Sequence, residues 1–199
     1  MKIKHILLAM LSVALLLSLS ACGSDSSSNP TPPPAPVTTT PEVTAPTPAV
    51  AFEPVAGELI DAGNIRAICP EGWFNSPVSA FSNDPDETDP DALLFLKGTD
   101  DSWTNGPIIK INFYGVDHEI MSLEDQMAYY ETAVALTPFT IGETVWVGYS
   151  YNVGDSIVEA VLNQQGSGAV DILVRLEGDG QTVALADPDI QTIISTIEY

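Results

Sequence analysis

Alternation of apolar and polar residues in steps of two is the feature that most constrains the fold of this chain. In PIIKINFYG, the apolar residues Ile109, Ile111 and Phe113 are separated by single polar residues, so they share one face of an extended segment. The QGSG stretch at residues 165–168 separates two further runs and predicts a hairpin connection. The other segments that read as strands are ETVWVGYSY, GAVDILVRLEG, DSIVEAVLN, DALLFLKG and NIRAIC. We therefore expect an antiparallel sheet of half-buried strands.

Two other segments carry helical spacing instead. SLEDQMAYYETAVAL begins with Ser122 and Asp125, which resemble a capping box. In DPDIQTIISTIEY, Asp187 is placed to cap a helix and Pro188 occupies its first position, where the missing N–H costs nothing. The apolar stripes are Leu123, Met127, Tyr130 and Val134 in the first segment and Ile190, Ile193, Ile194 and Ile197 in the second. Helices on the buried face of an antiparallel sheet predict an α+β domain.

The stretch CPEGW, from Cys69 to Trp73, resembles the start of small exported domains of the Mog1/PsbP-like type. IRAICPEGW, SLEDQMAYYETAV and DPDIQTIISTI follow one another in the order that these domains use, and the resemblance covers roughly residues 57–199. It implies a central antiparallel β-sheet flanked by helices. It implies little about activity, because members of this group serve as binding or assembly modules and many have no known role.

The N-terminus, MKIKHILLAMLSVALLLSLSAC, has the three parts of a secretory signal peptide: two lysines, an apolar run and small residues at the end. The apolar run is shorter than the roughly 20 residues that a membrane-spanning helix needs. Its last four residues, LSAC, resemble the bacterial lipobox, which implies cleavage before Cys22 and attachment of a diacylglyceryl group to its thiol. We therefore expect residues 1–21 to be a lipoprotein signal peptide and Cys22 to anchor the protein at the extracytoplasmic face of the cell membrane. The alternative is an ordinary signal peptide followed by an incidental cysteine.

A proline-rich segment follows the predicted lipidation site. Residues 24–54 contain nine prolines, with Ser, Thr and Ala between them. Such a composition cannot bury enough apolar surface to fold. Extended polyproline chain rises about 3.1 Å per residue, so this segment could reach on the order of 100 Å. We expect residues 22–55 to form a disordered stalk that carries a single globular domain, residues 56–199.

The charge of the chain limits its partners. The formal net charge is −21, and removal of the leader with its two lysines makes it −23. Such a surface repels nucleic acid and anionic lipid, and it suits cations or basic partners. The alternative is a solvated acidic surface that serves the solubility of an exported protein. With Cys22 lipidated, Cys69 is the one remaining thiol, so the domain has no internal disulfide. Cys69 is then either a small buried apolar residue or a reactive thiol.

The most unusual local composition is FSNDPDETDPDALL, which contains five carboxylates within eight residues. Calcium takes six to eight hard oxygen ligands, and closely spaced carboxylates can supply most of them. The spacing differs from that of an EF-hand loop. The segment is therefore either a calcium site or a solvated acidic turn. Its acidic residues are Asp84, Asp86, Glu87, Asp89 and Asp91.

A second candidate site is the loop DDSWTNGP, where Trp103 lies between Asp101 and Asn105. An aromatic ring flanked by carboxylate and amide groups can hold a sugar, so this loop could contact peptidoglycan. The alternative is that Trp103 covers the edge of the core. Trp73 in PEGW is predicted to lie in the core.

Catalysis finds little support in the sequence. His118 is the only histidine after the predicted leader, and a zinc site needs more than one such ligand. No G-x-S-x-G nucleophile motif occurs. We therefore predict a non-catalytic binding or assembly module for a protein or envelope component, without an obligatory cofactor. The alternatives are a calcium-dependent binder that uses the Asp84–Asp91 loop and a cell-envelope hydrolase.

Overall fold

The computed structural model describes residues 52–82, 84 and 86–199. The predicted signal peptide, the lipidation site Cys22 and residues 22–51 of the predicted stalk lie outside the described residues. Among the described residues, no helix is long and apolar enough to cross a membrane.

The described residues form eleven strands and two short helices. The strands are β1 Gly57–Asp61, β2 Arg66–Pro70, β3 Trp73–Asn75, β4 Ala92–Lys97, β5 Ile108–Phe113, β6 Val134–Ala135, β7 Phe139–Ile141, β8 Thr144–Val153, β9 Ile157–Gln164, β10 Val170–Gly178 and β11 Gln181–Thr182. The helices are α1 Leu123–Met127, between β5 and β6, and α2 Pro188–Ser195, after β11. All six segments that the sequence predicted as strands are confirmed.

Nine of these strands make one sheet, in the order β3-β4-β5-β10-β9-β8-β6, with β11 paired to β10 and β7 paired to β8. Every pairing in it is antiparallel. The QGSG turn joins β9 to β10, which confirms the predicted hairpin. β1 and β2 form a separate antiparallel hairpin.

The main core lies on one face of this sheet, beneath α2 and the β1–β2 hairpin. Ile190, Ile193 and Ile194 of α2 are buried there, as the helical spacing predicted. Burial of each such side chain contributes on the order of 1.5–3 kcal/mol. Asp187 precedes the helix, but its Oδ2 accepts a hydrogen bond from the backbone N of Ala184 rather than from the helix itself.

The predicted α+β class is wrong, because strands dominate the fold and the helices have only five and eight residues. The difference comes mainly from residues 122–136. Ser122 does cap a helix there, accepting a 3.1 Å hydrogen bond from the backbone N of Asp125, but the helix ends at Met127. A lone helix of this length is marginal, so contacts with the sheet decide the conformation of the rest.

Two contacts replace the missing helical turns. The ring of Tyr130 stacks on that of Tyr151, with centroids 4.0 Å apart. Val134 and Ala135 pair with Ser150 and Tyr149 as the short strand β6. The last two residues of the predicted helical stripe, Tyr130 and Val134, therefore contact β8 from outside a helix.

Candidate functional site

The second face of the sheet carries a smaller apolar cluster and is partly covered by the chain between β5 and β6. Tyr149, Tyr151 and Val161 are buried on this face, and Leu123 and Met127 of α1 pack against them. The side chains of β9 alternate between the faces, which places Glu159, Val161 and Asn163 together under this covering chain. All three are buried.

A cleft of about 480 Å³ opens on this second face, between residues 116–123 and the β9–β10 turn. Its volume lies in the usual range for sites that bind small molecules. Val147 and Asn163 contribute to its lining from β8 and β9. The apolar residues of the covering chain that line it are Val116, Ile120, Met121 and Leu123.

Gly168 allows the β9–β10 turn to approach the covering chain closely. A Cβ atom at this position would lie 2.3 Å from the carbonyl oxygen of His118 and 2.7 Å from the backbone N of Ile120. Since both of these are backbone atoms, any larger residue would push the turn and the covering chain apart. The glycine therefore sets the width of the cleft at this end.

Asn163 lines the cleft and has an unsatisfied amide. Its residue exposure is 3 %, and its Oδ1 accepts a long hydrogen bond of 3.4 Å from Gln126 Nε2. Gln126 Nε2 also donates to the carbonyl oxygen of Met121 at 2.8 Å, which fixes the orientation of that amide. Asn163 Nδ2 is buried and finds no hydrogen-bond partner in the part of the chain that the structure describes. Leaving such a donor unpaired costs about 1–3 kcal/mol.

The charged residues that line the cleft are acidic. Asp117 and Glu119 lie at its exposed side, on either side of His118. Of the basic residues in the described part of the chain, three are held in ion pairs elsewhere. These pairs are Arg66 with Glu198, Lys97 with Asp189 and Arg175 with Glu159. The fourth, Lys110, lies on β5 and does not line the cleft, so the lining holds no lysine or arginine.

A buried polar network lies beside the cleft on the same face. Tyr151 Oη donates a 2.7 Å hydrogen bond to Glu159 Oε2, and Arg175 Nε donates to Glu159 Oε1 at 3.0 Å. Arg175 also donates from Nη1 to the carbonyl oxygen of Thr104 at 3.2 Å. Burial and the bond to Glu159 raise the pKa of Tyr151 above its ordinary value. The network gives both charges of the Arg175–Glu159 pair hydrogen-bond partners and fixes the positions of these side chains on the second face.

His118 lines the cleft, but the structure does not surround it with further metal ligands. Its ring is exposed and stacks on Tyr114, with centroids 5.0 Å apart. Within residues 52–82, 84 and 86–199, no three His, Cys, Asp or Glu side chains are grouped so as to hold a metal ion.

The acidic segment that raised the possibility of calcium binding uses its carboxylates in local hydrogen bonds. Asp84 Oδ1 accepts from the backbone N of Asp86 at 3.0 Å, and Asp89 Oδ1 accepts from the backbone N of Asp91 at 2.9 Å. Asp91 Oδ1 accepts from Asn64 Nδ2 at 2.9 Å, and Glu87 is exposed. These bonds account for the turn without a metal ion, and calcium binding stays a prediction.

The predicted sugar-contacting residues lie on the loop between β4 and β5. Trp103 is 91 % exposed, so its ring does not cover the core, whereas Trp73 is buried as expected. Asp101 Oδ1 accepts a 2.9 Å hydrogen bond from the backbone N of Trp103, and the backbone N of Asn105 donates to Asp179 Oδ2 at 3.0 Å. The three residues are close in sequence, and the carboxylate of Asp101 and the backbone N atoms of Trp103 and Asn105 shape the loop. Sugar binding there stays a prediction.

Cys69 is buried on β2, which favours the interpretation as a small core residue. Burial and the charge of Glu58 raise the pKa of its thiol to about 11. A cavity of about 630 Å³ lies beside it, between the β1–β2 hairpin and β3. Trp73 also lines this cavity, and its Nε1 donates a 2.7 Å hydrogen bond to Asp189 Oδ2. The buried unpaired amide of Asn163 makes the cleft the better candidate site.

The comparisons with known proteins give no further guide to the site. No family model, no curated protein and no solved structure matches this chain. The resemblance to Mog1/PsbP-like domains therefore stays a prediction. Sequence reasoning singled out His118 but missed Asn163. The available signal was Asn163, the first of three consecutive amides after VEAVL, on the strand face that also carries Val161.

Proposed function

We propose that this protein is an extracytoplasmic lipoprotein whose domain binds its ligand without catalysis, in the cleft between residues 116–123 and the β9–β10 turn. The observation that carries this proposal is the buried, unpaired Nδ2 of Asn163, a residue that lines that cleft. A buried donor without a partner destabilises the folded protein, and a ligand that supplies an acceptor removes this destabilisation.

The hydroxyl groups that line the cleft favour binding over covalent chemistry. Ser122 Oγ donates to Asp125 Oδ2 at 2.6 Å and belongs to the helix cap. Ser167 Oγ accepts a 3.2 Å hydrogen bond from the backbone N of Ala169 and belongs to the turn. Both hydroxyls are engaged in local structure rather than paired with His118 as an activated nucleophile would be. The cleft instead combines apolar walls with a few polar groups, which is typical of recognition sites.

The proposed location depends on the N-terminal sequence. The LSAC motif supports lipidation of Cys22, and the proline-rich segment supports a stalk between the lipid and the domain. Two acyl chains suffice for stable anchoring where one would be marginal. A stalk of on the order of 100 Å gives the cleft access to envelope components well away from the membrane surface.

Lipid attachment is tested by metabolic labelling with an alkyne-bearing fatty acid in the producing cells. We expect the wild-type chain to carry the label and to sediment with membranes, and the Cys22→Ser variant to lose the label. A labelled Cys22→Ser chain, or an unlabelled wild-type chain, would contradict the anchor.

Binding in the cleft is tested by ¹H–¹⁵N spectra of the chain with two probe sets, short synthetic peptides and soluble peptidoglycan fragments. We expect one set to shift resonances around the cleft in a saturable way. The Ser167→Trp variant, which fills the cleft, should remove these shifts. A matched Ser156→Trp variant at the exposed β8–β9 turn should retain them. Shifts that persist in Ser167→Trp, or that occur only elsewhere, would contradict the proposed site.

A further inference from the structure

We infer that the cleft binds a basic peptide segment, with one backbone carbonyl of the peptide on Asn163 and its positive charge beside Asp117 and Glu119. This inference rests on the proposed function, because it names the ligand class of the same cleft.

The cleft carries negative charge. Asp117 and Glu119 are both exposed at the cleft, and the described residues place no lysine or arginine in its lining. From residue 111 to residue 174 the chain contains no lysine or arginine at all. An anionic ligand would meet repulsion here, whereas a cationic ligand supplies the missing counter-charge.

The Asn163 amide limits the chemistry of the ligand. Its Nδ2 is a donor, so the ligand must present an acceptor oxygen. The χ2 torsion of asparagine has a broad energy profile, and turning the amide towards the cleft gives up only the 3.4 Å bond with Gln126. A carboxamide that is free of Gln126 can then donate to a peptide carbonyl and accept from a peptide N–H at the same time.

The negative charge of the cleft and the unpaired donor of Asn163 together select a peptide over other ligands. A polyamine carries the positive charge but has no acceptor oxygen for Asn163. A neutral oligosaccharide has acceptor oxygens but no charge for Asp117 and Glu119. A basic peptide has both, and its aliphatic stems can cover the apolar walls formed by Ile120 and Met121.

The experiment is isothermal titration calorimetry on the full chain in detergent at low ionic strength. The main probe is the peptide Ala-Lys-Ala-Lys-Ala with both ends blocked. The comparison probes are the blocked peptide Ala-Glu-Ala-Glu-Ala, spermidine and chitotetraose. The variants are Asn163→Leu and the double variant Asp117→Asn with Glu119→Gln. The matched control is the double variant Asp100→Asn with Asp155→Asn, which makes the same change in charge. Both residues lie on exposed loops, near the ends of β9 and β10 that are opposite to the cleft.

We expect only the lysine peptide to bind, with affinity reduced about tenfold in Asn163→Leu and in the cleft double variant, and within about twofold of wild type in the control. Circular dichroism and a thermal melt check that each variant is folded. Because Asp117 and Glu119 are exposed, the double variant keeps the core and remains a test even if Asn163→Leu misfolds.

The outcomes separate this inference from the proposed function. Binding of the acidic peptide or of chitotetraose that depends on Asn163 would overturn the basic-peptide class and leave the cleft as a binding site. Equal binding of spermidine and the lysine peptide would overturn the role given to the carbonyl. Lysine-peptide binding that is weakened equally by the control would overturn the role of the cleft carboxylates. No binding of any probe would contradict both the inference and the proposed function.

Discussion

Gln126 and Asn163 meet in the cleft through one long hydrogen bond, 3.4 Å from Gln126 Nε2 to Asn163 Oδ1, and the other half of the Asn163 amide has no partner among the described residues. Gln126 Nε2 also donates a shorter bond, 2.8 Å, to the carbonyl oxygen of Met121, which does not involve Asn163. The fold therefore gains little from this asparagine. The proposed ligand would supply the partner that this amide does not have among the described residues.

The first prediction is that Asn163→Leu stabilises the free protein. The leucine removes a buried unpaired donor, so we expect the free energy of unfolding to rise by about 1 kcal/mol. Asn163→Asp should lower it, because a carboxylate would be buried without a counter-ion. Urea denaturation of the three proteins measures both effects. A loss of stability in Asn163→Leu would mean that the amide is satisfied in the native state.

The second prediction concerns the buried ion pair between Arg175 and Glu159. Glu159→Ala leaves the guanidinium of Arg175 largely buried without its carboxylate, so we expect a loss of about 3 kcal/mol. Tyr151→Phe removes a single hydrogen bond to the same carboxylate and should cost about 1–2 kcal/mol.

A double-mutant cycle between Tyr151→Phe and Arg175→Met checks whether the two donors act through Glu159. Coupling of more than about 0.5 kcal/mol is expected for residues that share one partner. Additive losses would mean that the two bonds to Glu159 are independent.

Much of the sheet could be predicted from the sequence, because burial of one strand face imposes a period of two. The alternation in β5 and β10 identified their core faces, and Ile109, Ile111 and Ile172 are indeed fully buried. The terminal helix was also predictable, because Ile190 and Ile193 recur at helical spacing and Pro188 begins the helix. These signals are local, so tertiary structure does not need to be known to read them.

The second face could not be predicted in the same way. Residues 122–136 have helical spacing, but the stacking of Tyr130 on Tyr151 and the pairing of Val134 with Ser150 depend on a strand that comes later in the chain. The same covering chain buries Asn163, which shares a strand face with Val161 and in the sequence resembles an ordinary polar residue near a strand end. The cleft was therefore missed, because it arises from contacts between segments about 40 residues apart.

The third prediction is that Cys69 makes the protein less stable in alkali. The thiol has an ordinary pKa of 9.0, and burial and then the charge of Glu58 raise the pKa in the folded protein to about 11. Between these values the unfolded chain releases a proton that the native protein keeps, so the free energy of unfolding falls as pH rises. Below pH 9 the thiol has no such effect.

Urea denaturation from pH 8 to 10 measures this effect, and Cys69→Ala should give a shallower decline than wild type. This window precedes the main contribution of Tyr149, whose pKa is raised from 10.0 to about 12, chiefly by burial. Cys69 should also resist thiol reagents at pH 8 until the protein unfolds. Rapid labelling of the native protein, or identical pH profiles for both proteins, would contradict the buried, protonated thiol.

The fourth prediction concerns Asp189, which joins α2 to the sheet. Its Oδ2 accepts hydrogen bonds from Trp73 Nε1 at 2.7 Å and Lys97 Nζ at 2.5 Å. Burial alone would raise the pKa of Asp189, but the bonds from Lys97 and Trp73 outweigh it and hold this pKa below the ordinary 3.8. The carboxylate therefore adds stability above pH 3.8, and this contribution is lost as pH falls through the lower folded-state value.

We expect Asp189→Asn to be less stable than wild type at pH 7 and to lose less stability between pH 4 and 2. Thermal melts across this range compare the two proteins. Asp187→Asn is a suitable control, because it changes a neighbouring carboxylate that lies outside this contact. A constant difference between wild type and Asp189→Asn across the range would contradict the account.

The most direct test of the central claim follows the side-chain amide of Asn163 itself. The account predicts that its ¹H–¹⁵N resonances in the full chain move in a saturable way when the blocked peptide Ala-Lys-Ala-Lys-Ala is added, as Nδ2 gains an acceptor. The Asp100→Asn with Asp155→Asn variant should show the same shift. If the peptide binds while the Asn163 resonances stay in place, the cleft is not the binding site and the account is wrong.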